Sequence, residues 1–382
     1  MGTRADDAAG RNEFRQLSRR RFLAGSAGVA AGVSALSLGP LAPAAYANGG
    51  GHGSDHGHGH DHGHNDKDLT VAPKRRGIIL YTVRDVLTRT PNPAQGIDGG
   101  FRYVLEQVSN MGYHEVEFAG YTQSTSILGR QITAAEIRQL LDDNGLKANG
   151  SHIGFNFANP ASFEAQLDIA ETLGMPHLGT ASIPTNSRYK ADWQAAAENF
   201  NAFGERAKAR GIKLYQHNHH AEYNFLLDAG PLDANGKPTA SSGLRGLEYF
   251  FTLVDPRLVW FEMDIYWGYV ARHRYQSYVD KRGITRTDLF DPIRTVRQHS
   301  ARFPLFHVKD GIPADVDDGF TMVPAGTGVI PLRKLLNEIG DRDFRHPNYE
   351  QDNAPGGTAN PGQSLQFAQT SFTNIASWRR SC

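Results

Sequence analysis

Short apolar runs alternate with stretches of helical spacing along most of this chain, and that alternation limits the possible folds more than any other feature. Residues 77–81 form an apolar run, and residues 101–111 then show helical spacing. Residues 114–118 precede a helical pattern over 134–144, and residues 147–152 precede one over 162–173. Residues 177–180 precede a long amphipathic pattern over 193–210. Residues 212–217, 258–264, 304–309 and 346–350 bring the number of strands to eight. Strands separated by helices pair in parallel, so the pattern predicts an α/β fold, a single (β/α)8 TIM barrel. An open doubly wound sheet would show the same alternation, but no Gly-rich nucleotide-binding turn follows the first strand.

Four of the predicted strands end in side chains that bind metals or move protons. They close on Gln216-His217-Asn218-His219-His220-Ala221-Glu222, Glu262-Met263-Asp264, His307-Val308-Lys309-Asp310 and Tyr349-Glu350-Gln351-Asp352. One histidine at a strand end is usually a hydrogen-bonded structural residue; four donor-bearing ends in order fit a divalent-metal site at the mouth of a barrel. Alternation sets the direction of each side chain. With Ile212 and Leu214 packed outward, Lys213, Tyr215, His217 and His219 face the axis, as do Trp260, Glu262, Asp264, His307, Lys309 and Glu350. Glu117 and His152 hold the matching places on the second and third strands. Such a convergence of carboxylates and imidazoles needs a compensating charge, and a divalent cation (Mn, Co, Zn or Mg) would supply it. Glu117, His152 and Lys309 are then candidates for substrate contact. For Glu117 the alternative is an ion pair with Arg84, and for Lys309 it is neutralisation of Asp310 or Glu350. The long connections 228–243 and 271–289 both follow strand ends and are placed to cover the mouth.

The ends of the chain are different in character. Residues 1–47 carry Ser18-Arg19-Arg20-Arg21-Phe22-Leu23, a mild apolar stretch and Ala45-Tyr46-Ala47, the three parts of a bacterial twin-arginine signal. The expectation is export by the Tat translocon to the periplasm or medium, cleavage near Asn48, and no membrane anchor after processing. Residues 48–73 read as a disordered linker, with His52, His56, His58, His60, His62 and His64 set among glycines. These histidines either buffer metal for the folded part or bind it incidentally. Residues 74–382 make the barrel, which is large enough for one well-buried core. The 40 basic and 40 acidic residues balance, so no global field favours nucleic acid. Cys382 is the single cysteine, which excludes intrachain disulfides and cysteine-ligated clusters. Self-association is left open.

The chain resembles the sugar phosphate isomerase/epimerase family, the xylose isomerase-like metal barrels. The resemblance rests on Leu80-Tyr81-Thr82-Val83-Arg84-Asp85, Gly112-Tyr113-His114-Glu115-Val116-Glu117-Phe118, His217-Asn218-His219 with Glu222, Met263-Asp264-Ile265-Tyr266-Trp267, His307-Val308-Lys309-Asp310, Gly326-Thr327-Gly328 and Glu350-Gln351-Asp352. It covers about residues 77–377. The resemblance implies Asp264, His307 and Glu350 as metal ligands, with His217, His219 or Glu222 as a fourth. The ketose 3-epimerases of this family have a ligating glutamate where this chain has His217. That departure favours the inosose dehydratase and 3-keto-glycoside branches. The implied activity is metal-dependent isomerisation, epimerisation or dehydratase-like elimination on a sugar, cyclitol or keto-sugar, with Glu350, His217 or Glu222 as the base. An endonuclease IV-like metallohydrolase and a non-catalytic periplasmic metal binder are the alternatives.

Overall fold

The computed structural model describes residues 66–340 and 343–380, so the leader and every histidine of the tract lie outside the described residues. Eight parallel strands form the barrel: β1 (Gly77–Ile79), β2 (Glu115–Phe118), β3 (Lys147–Ser151), β4 (His177–Thr180), β5 (Lys213–His217), β6 (Val259–Asp264), β7 (Leu305–Val308) and β8 (His346–Tyr349). The sheet runs β3-β2-β1-β8-β7-β6-β5-β4. A parallel bridge between His152 and Gly179 joins its two outer strands. The expected TIM barrel is the observed fold.

The helices follow the apolar spacing read from the sequence. Gly100–Met111, Ala134–Asp143, Pro160–Leu173 and Lys190–Ala209 lie within a few residues of the predicted spans. Their ends have local causes. Thr133 and Glu136 form a reciprocal capping box, and Pro160 opens its helix where a missing N–H costs nothing. The core lies between sheet and helices, where Phe250 and Phe251 pack edge to face on Phe261, and Phe251 on Phe303. Residues 66–73, read as the end of the linker, instead pack on this body. Thr70 N–H donates to Trp378 O at 3.1 Å, and the apolar Leu69, Val71 and Ala72 are buried.

The barrel interior is polar where such barrels are usually filled by branched apolar side chains. Glu115, Glu117, Asn149, Tyr215, Glu262, His307 and Asn348 are all buried there. Glycine makes the room. A Cβ on Gly179 would lie 2.5 Å from the Tyr215 ring, and one on Gly77 would overlap the Asn348 amide. The long connections at the C-terminal end are ordered antiparallel hairpins. Ala229–Leu232 pairs with Pro238–Ala240, Ser277–Val279 with Thr285–Thr287, and Asp310–Pro313 with Phe320–Val323.

Candidate metal centre

Strand register brings the donors together. His217 on β5 is level with Glu262 on β6, Asp264 with His307 on β7, and His307 with Asn348 on β8. Asp264 ends its strand and caps the following helix, Ile265–Arg274: Trp267 N–H donates to Asp264 Oδ1 at 2.9 Å. That bond holds the carboxylate at the mouth and leaves Oδ2 facing the axis.

Two buried glutamates orient the imidazoles. Glu117 accepts from Tyr215 Oη (2.6 Å) and His152 Nδ1 (3.0 Å) at Oε1, and from His307 Nε2 (2.9 Å) and Asn348 Nδ2 (2.8 Å) at Oε2. Glu262 Oε2 lies 3.1 Å from His217 Nδ1, and its Oε1 lies 3.2 Å from His307 Nε2. Carboxylates on these ring nitrogens turn His307 Nδ1 and His217 Nε2 toward Asp264. His307 Nδ1 lies 3.7 Å and His217 Nε2 3.9 Å from Asp264 Oδ2. An imidazole held by a carboxylate on one nitrogen and open on the other is how metal-binding histidines are oriented.

Asp264 Oδ2, His307 Nδ1 and Glu350 Oε2 are buried without a well-aligned hydrogen bond, and the Lys309 ammonium lies 2.8 Å from Asp264 Oδ2 and 2.6 Å from Glu350 Oε2. They belong to one triad of donors lying within 4.8 Å of one another. His307 Nδ1 approaches Glu350 Oε2 to 2.7 Å without the alignment a hydrogen bond needs. Two carboxylate oxygens and a ring nitrogen converging in this way fit a divalent cation, which would take the place of the positive charge that Lys309 and protonated His307 supply. A second set of neighbouring donors, His152, His217, Glu262 and His307, lies deeper. Its ring nitrogens already engage Glu117 and Glu262, so it reads as the layer that orients the first set.

The electrostatics reflect this crowding. Burial alone would pull His307 down, but Glu262, Glu350 and Glu117 outweigh it and hold the imidazole protonated well above its ordinary range. Burial pushes Glu262 well up, and the neighbouring Glu117 adds to the shift. Burial also raises Glu117 and Glu350, but their neighbours override it: His307 and the hydrogen bond from His152 at Glu117, His307 and Lys309 at Glu350. His217 is driven well below its ordinary value by burial and by His307 and His152. A bound divalent ion would take over the charge that the His307 proton supplies, with release of that proton.

Several candidates from the sequence are in places that alternation does not specify. Glu222 is buried outside the donor triad. The single turn Ala221–Tyr223 folds it back so that its Oε2 accepts from His219 N–H at 3.1 Å, and burial raises its carboxyl to about 7. His219 lies between the His217 and Trp267 rings, at centroid distances of 5.0 and 5.5 Å. Glu117, read as a substrate contact, is fully buried with both oxygens engaged by protein groups. Arg84, its alternative partner, instead donates to the Tyr81 and Asp352 carbonyls. Lys309 contacts Asp264, Glu350 and Asp352, while Asp310 accepts from the N–H groups of Gly326, Gly328 and Ile330 and fixes that loop. Sequence reasoning put Glu262 on the inward face but gave it no part in the site. The signal was the parity it shares with Asp264, two residues on.

The profile of the xylose isomerase-like TIM barrel family matches residues 105–360, most of the chain. The chain belongs to that family. Among solved structures of this fold, a sugar phosphate isomerase/epimerase from Parabacteroides distasonis is 24% identical with a TM-score of 0.57, over 80% of this chain and 95% of that one. An IolI protein with a bound zinc atom is 14% identical with a TM-score of 0.53, over 81% of this chain and all (100%) of its own. An L-ribulose 3-epimerase is 13% identical with a TM-score of 0.51, over 79% and 93%. At these identities the likeness is one of fold. No curated protein sequence gives a significant match.

Proposed function

We propose that this xylose isomerase-like barrel is a divalent-metal-dependent isomerase, epimerase or lyase that removes a proton beside the carbonyl of a sugar, cyclitol or keto-sugar. The observation that carries the reading is the convergence of Asp264 Oδ2, His307 Nδ1 and Glu350 Oε2 within 4.8 Å of one another at the strand ends. Those atoms would hold the ion, with His217 Nε2 as the fourth donor. When bound, the ion would polarise a carbonyl and neighbouring hydroxyl and lower the cost of the enediolate charge.

The remaining residues divide the work by position. Glu117 and Glu262 hold the ligating imidazoles, so Glu117 acts through His307 and His152. His152 is only partly buried, and Glu117 Oε1 fixes its Nδ1 at 3.0 Å, which leaves Nε2 available at the mouth. In this reading His152 takes the substrate proton, because an imidazole set by a carboxylate makes an oriented base. That assignment differs from the base expected from the sequence. Glu350 is held well down by His307 and Lys309, His217 is a ligand, and Glu222 is turned back on His219 N–H. A carbohydrate substrate agrees with the isomerase and epimerase named among the fold neighbours. The leader and histidine tract support export of the folded protein and local metal buffering as further parts of the proposal.

Incubation with manganese and a panel of keto-sugars in deuterium oxide tests the chemistry. The expected result is deuterium at the carbon beside the carbonyl, lost in His152→Ala and retained in Glu350→Asp at reduced rate. Turnover with neither exchange nor an isotope effect would mean a hydride shift or hydrolysis, and the proposed mechanism would fail.

A further inference from the structure

Lys309 occupies the place where the ligand oxygens need a cation. Its Nζ is 2.8 Å from Asp264 Oδ2 and 2.6 Å from Glu350 Oε2, the same two atoms that the proposed ion would use. The side chain is almost wholly buried, at 1% exposure, with the Trp267 ring 5.6 Å from the ammonium. Asp352 lies on its other side, with Oδ1 at 3.1 Å and Oδ2 at 3.2 Å, and is 30% exposed. Divalent ions bind carboxylate oxygens at roughly 2.0–2.2 Å, so an ion on Oδ2 and Oε2 would compete with the ammonium for the same two oxygens. Two adjacent cations in a buried site also repel strongly.

We propose that Lys309 is a displaceable internal counter-cation, which bridges Asp264 and Glu350 until a divalent ion binds and then moves fully onto Asp352. The inference rests on the metal reading above and extends it. Burying Asp264 and Glu350 with no cation would be costly, and Lys309 removes that cost while no ion is bound. Asp352 gives the displaced ammonium a carboxylate already in contact, so the exchange needs only a small movement of one long side chain. After the move the ammonium lies on the partly exposed Asp352 side of the mouth, in position to meet a substrate oxygen. Metal occupancy and the availability of Lys309 to substrate are therefore coupled.

The test is a double-mutant cycle on manganese affinity, read from free Mn2+ by electron paramagnetic resonance on the full chain. Manganese suits an oxygen-rich centre and binds histidine tracts weakly. Lys309→Met should tighten binding by about tenfold or more. Asp352→Asn should weaken it by about tenfold in the wild-type background but by less than about threefold in the Lys309→Met background, since coupled sites give non-additive changes. Equal effects of Asp352→Asn in both backgrounds would overturn the exchange. So would a Lys309→Met affinity that is unchanged or weaker. The wild-type protein supplies a second measurement that no folding defect can confuse. Acetylation of Lys309, followed by peptide mass spectrometry, should rise about tenfold with saturating Mn2+, because the bridge is released. Unchanged labelling would also overturn the inference. Wild-type and Asp264→Asn proteins that bind manganese equally would refute the metal reading itself, a result separate from additivity in the cycle.

Discussion

The two ends of this barrel both bury carboxylates, and they treat them differently. At the N-terminal end, Glu115 accepts from Arg75 Nη1 (2.9 Å) at Oε1 and from His346 Nδ1 (2.7 Å) and Asn149 Nδ2 (3.2 Å) at Oε2. Burial pushes its carboxyl up, but those partners outweigh it and bring it below the ordinary value. At the C-terminal mouth, Asp264 Oδ2 and Glu350 Oε2 stand close to each other and to His307 Nδ1, and the Lys309 ammonium bridges the two oxygens. A chain of amides connects the two: Asn149 Nδ2 donates to Asn348 Oδ1 at 2.8 Å, and Asn348 Nδ2 to Glu117 Oε2 at 2.8 Å. A buried carboxylate whose acceptors are all filled is a structural element. Carboxylates that converge on one point and are held only by a movable ammonium can exchange it for another cation, and there the function is to be sought.

The widest test of this contrast is to remove a group from the mouth. Asp264→Asn or His307→Ala should lower the exchange rate by about a thousandfold or more, since a bound ion supplies several kcal/mol of charge stabilisation. Stability measured in chelator should change far less. Equilibrium dialysis with manganese reads the lost ion directly, and retention of the ion would erase the distinction between the two ends.

Acid should act on the base of the barrel through His177. Burial, with His346 beside it, lowers this imidazole to about 3. Above pH 6.5 neither folded nor unfolded His177 is charged, so its contribution is complete there. As pH falls from about 6.5 toward 3, the unfolded chain binds a proton that the folded chain refuses, and stability declines by up to about 1.4 kcal/mol per unit. Urea titrations between pH 7 and 4 should show a shallower acid slope for His177→Asn than for wild type. Equal slopes would remove His177 from the account.

Glu115→Gln should cost about 2 kcal/mol, because it leaves Arg75 and His346 without their carboxylate. Metal affinity and exchange should stay within about threefold of wild type, as expected of one structural contact remote from the ion. A loss of activity larger than the loss of stability would show that the amide chain carries more than support. The smallest change is expected for Trp267→Phe, which keeps an aromatic wall beside His219 and Lys309. KM should rise a few-fold, worth about 1 kcal/mol or less, with manganese affinity unchanged. A shift in metal affinity would place Trp267 closer to the ion than this contrast allows.

Local sequence determined a good deal of this protein. The alternation of strand and helix spacing required a parallel α/β fold, the missing nucleotide-binding turn favoured the barrel, and period-two parity within each strand put Glu117, Asp264, His307, Lys309 and Glu350 on inward positions. Parity says which face a residue takes, but not how deep it sits or what stands across the barrel from it. Those follow from register and closure, which join strands distant in sequence. That is why Glu262 became visible as the partner of His217 only once β5 and β6 were paired, and why Lys309 turned out to meet Asp352 and not the adjacent Asp310. Glu222 is a separate case: a single turn after β5 carried its carboxylate out of the strand's phase and onto a backbone N–H. The converging donors that mark the candidate centre arise only from tertiary structure, because they are a relation between β6, β7 and the end of β8 that no one of these segments contains.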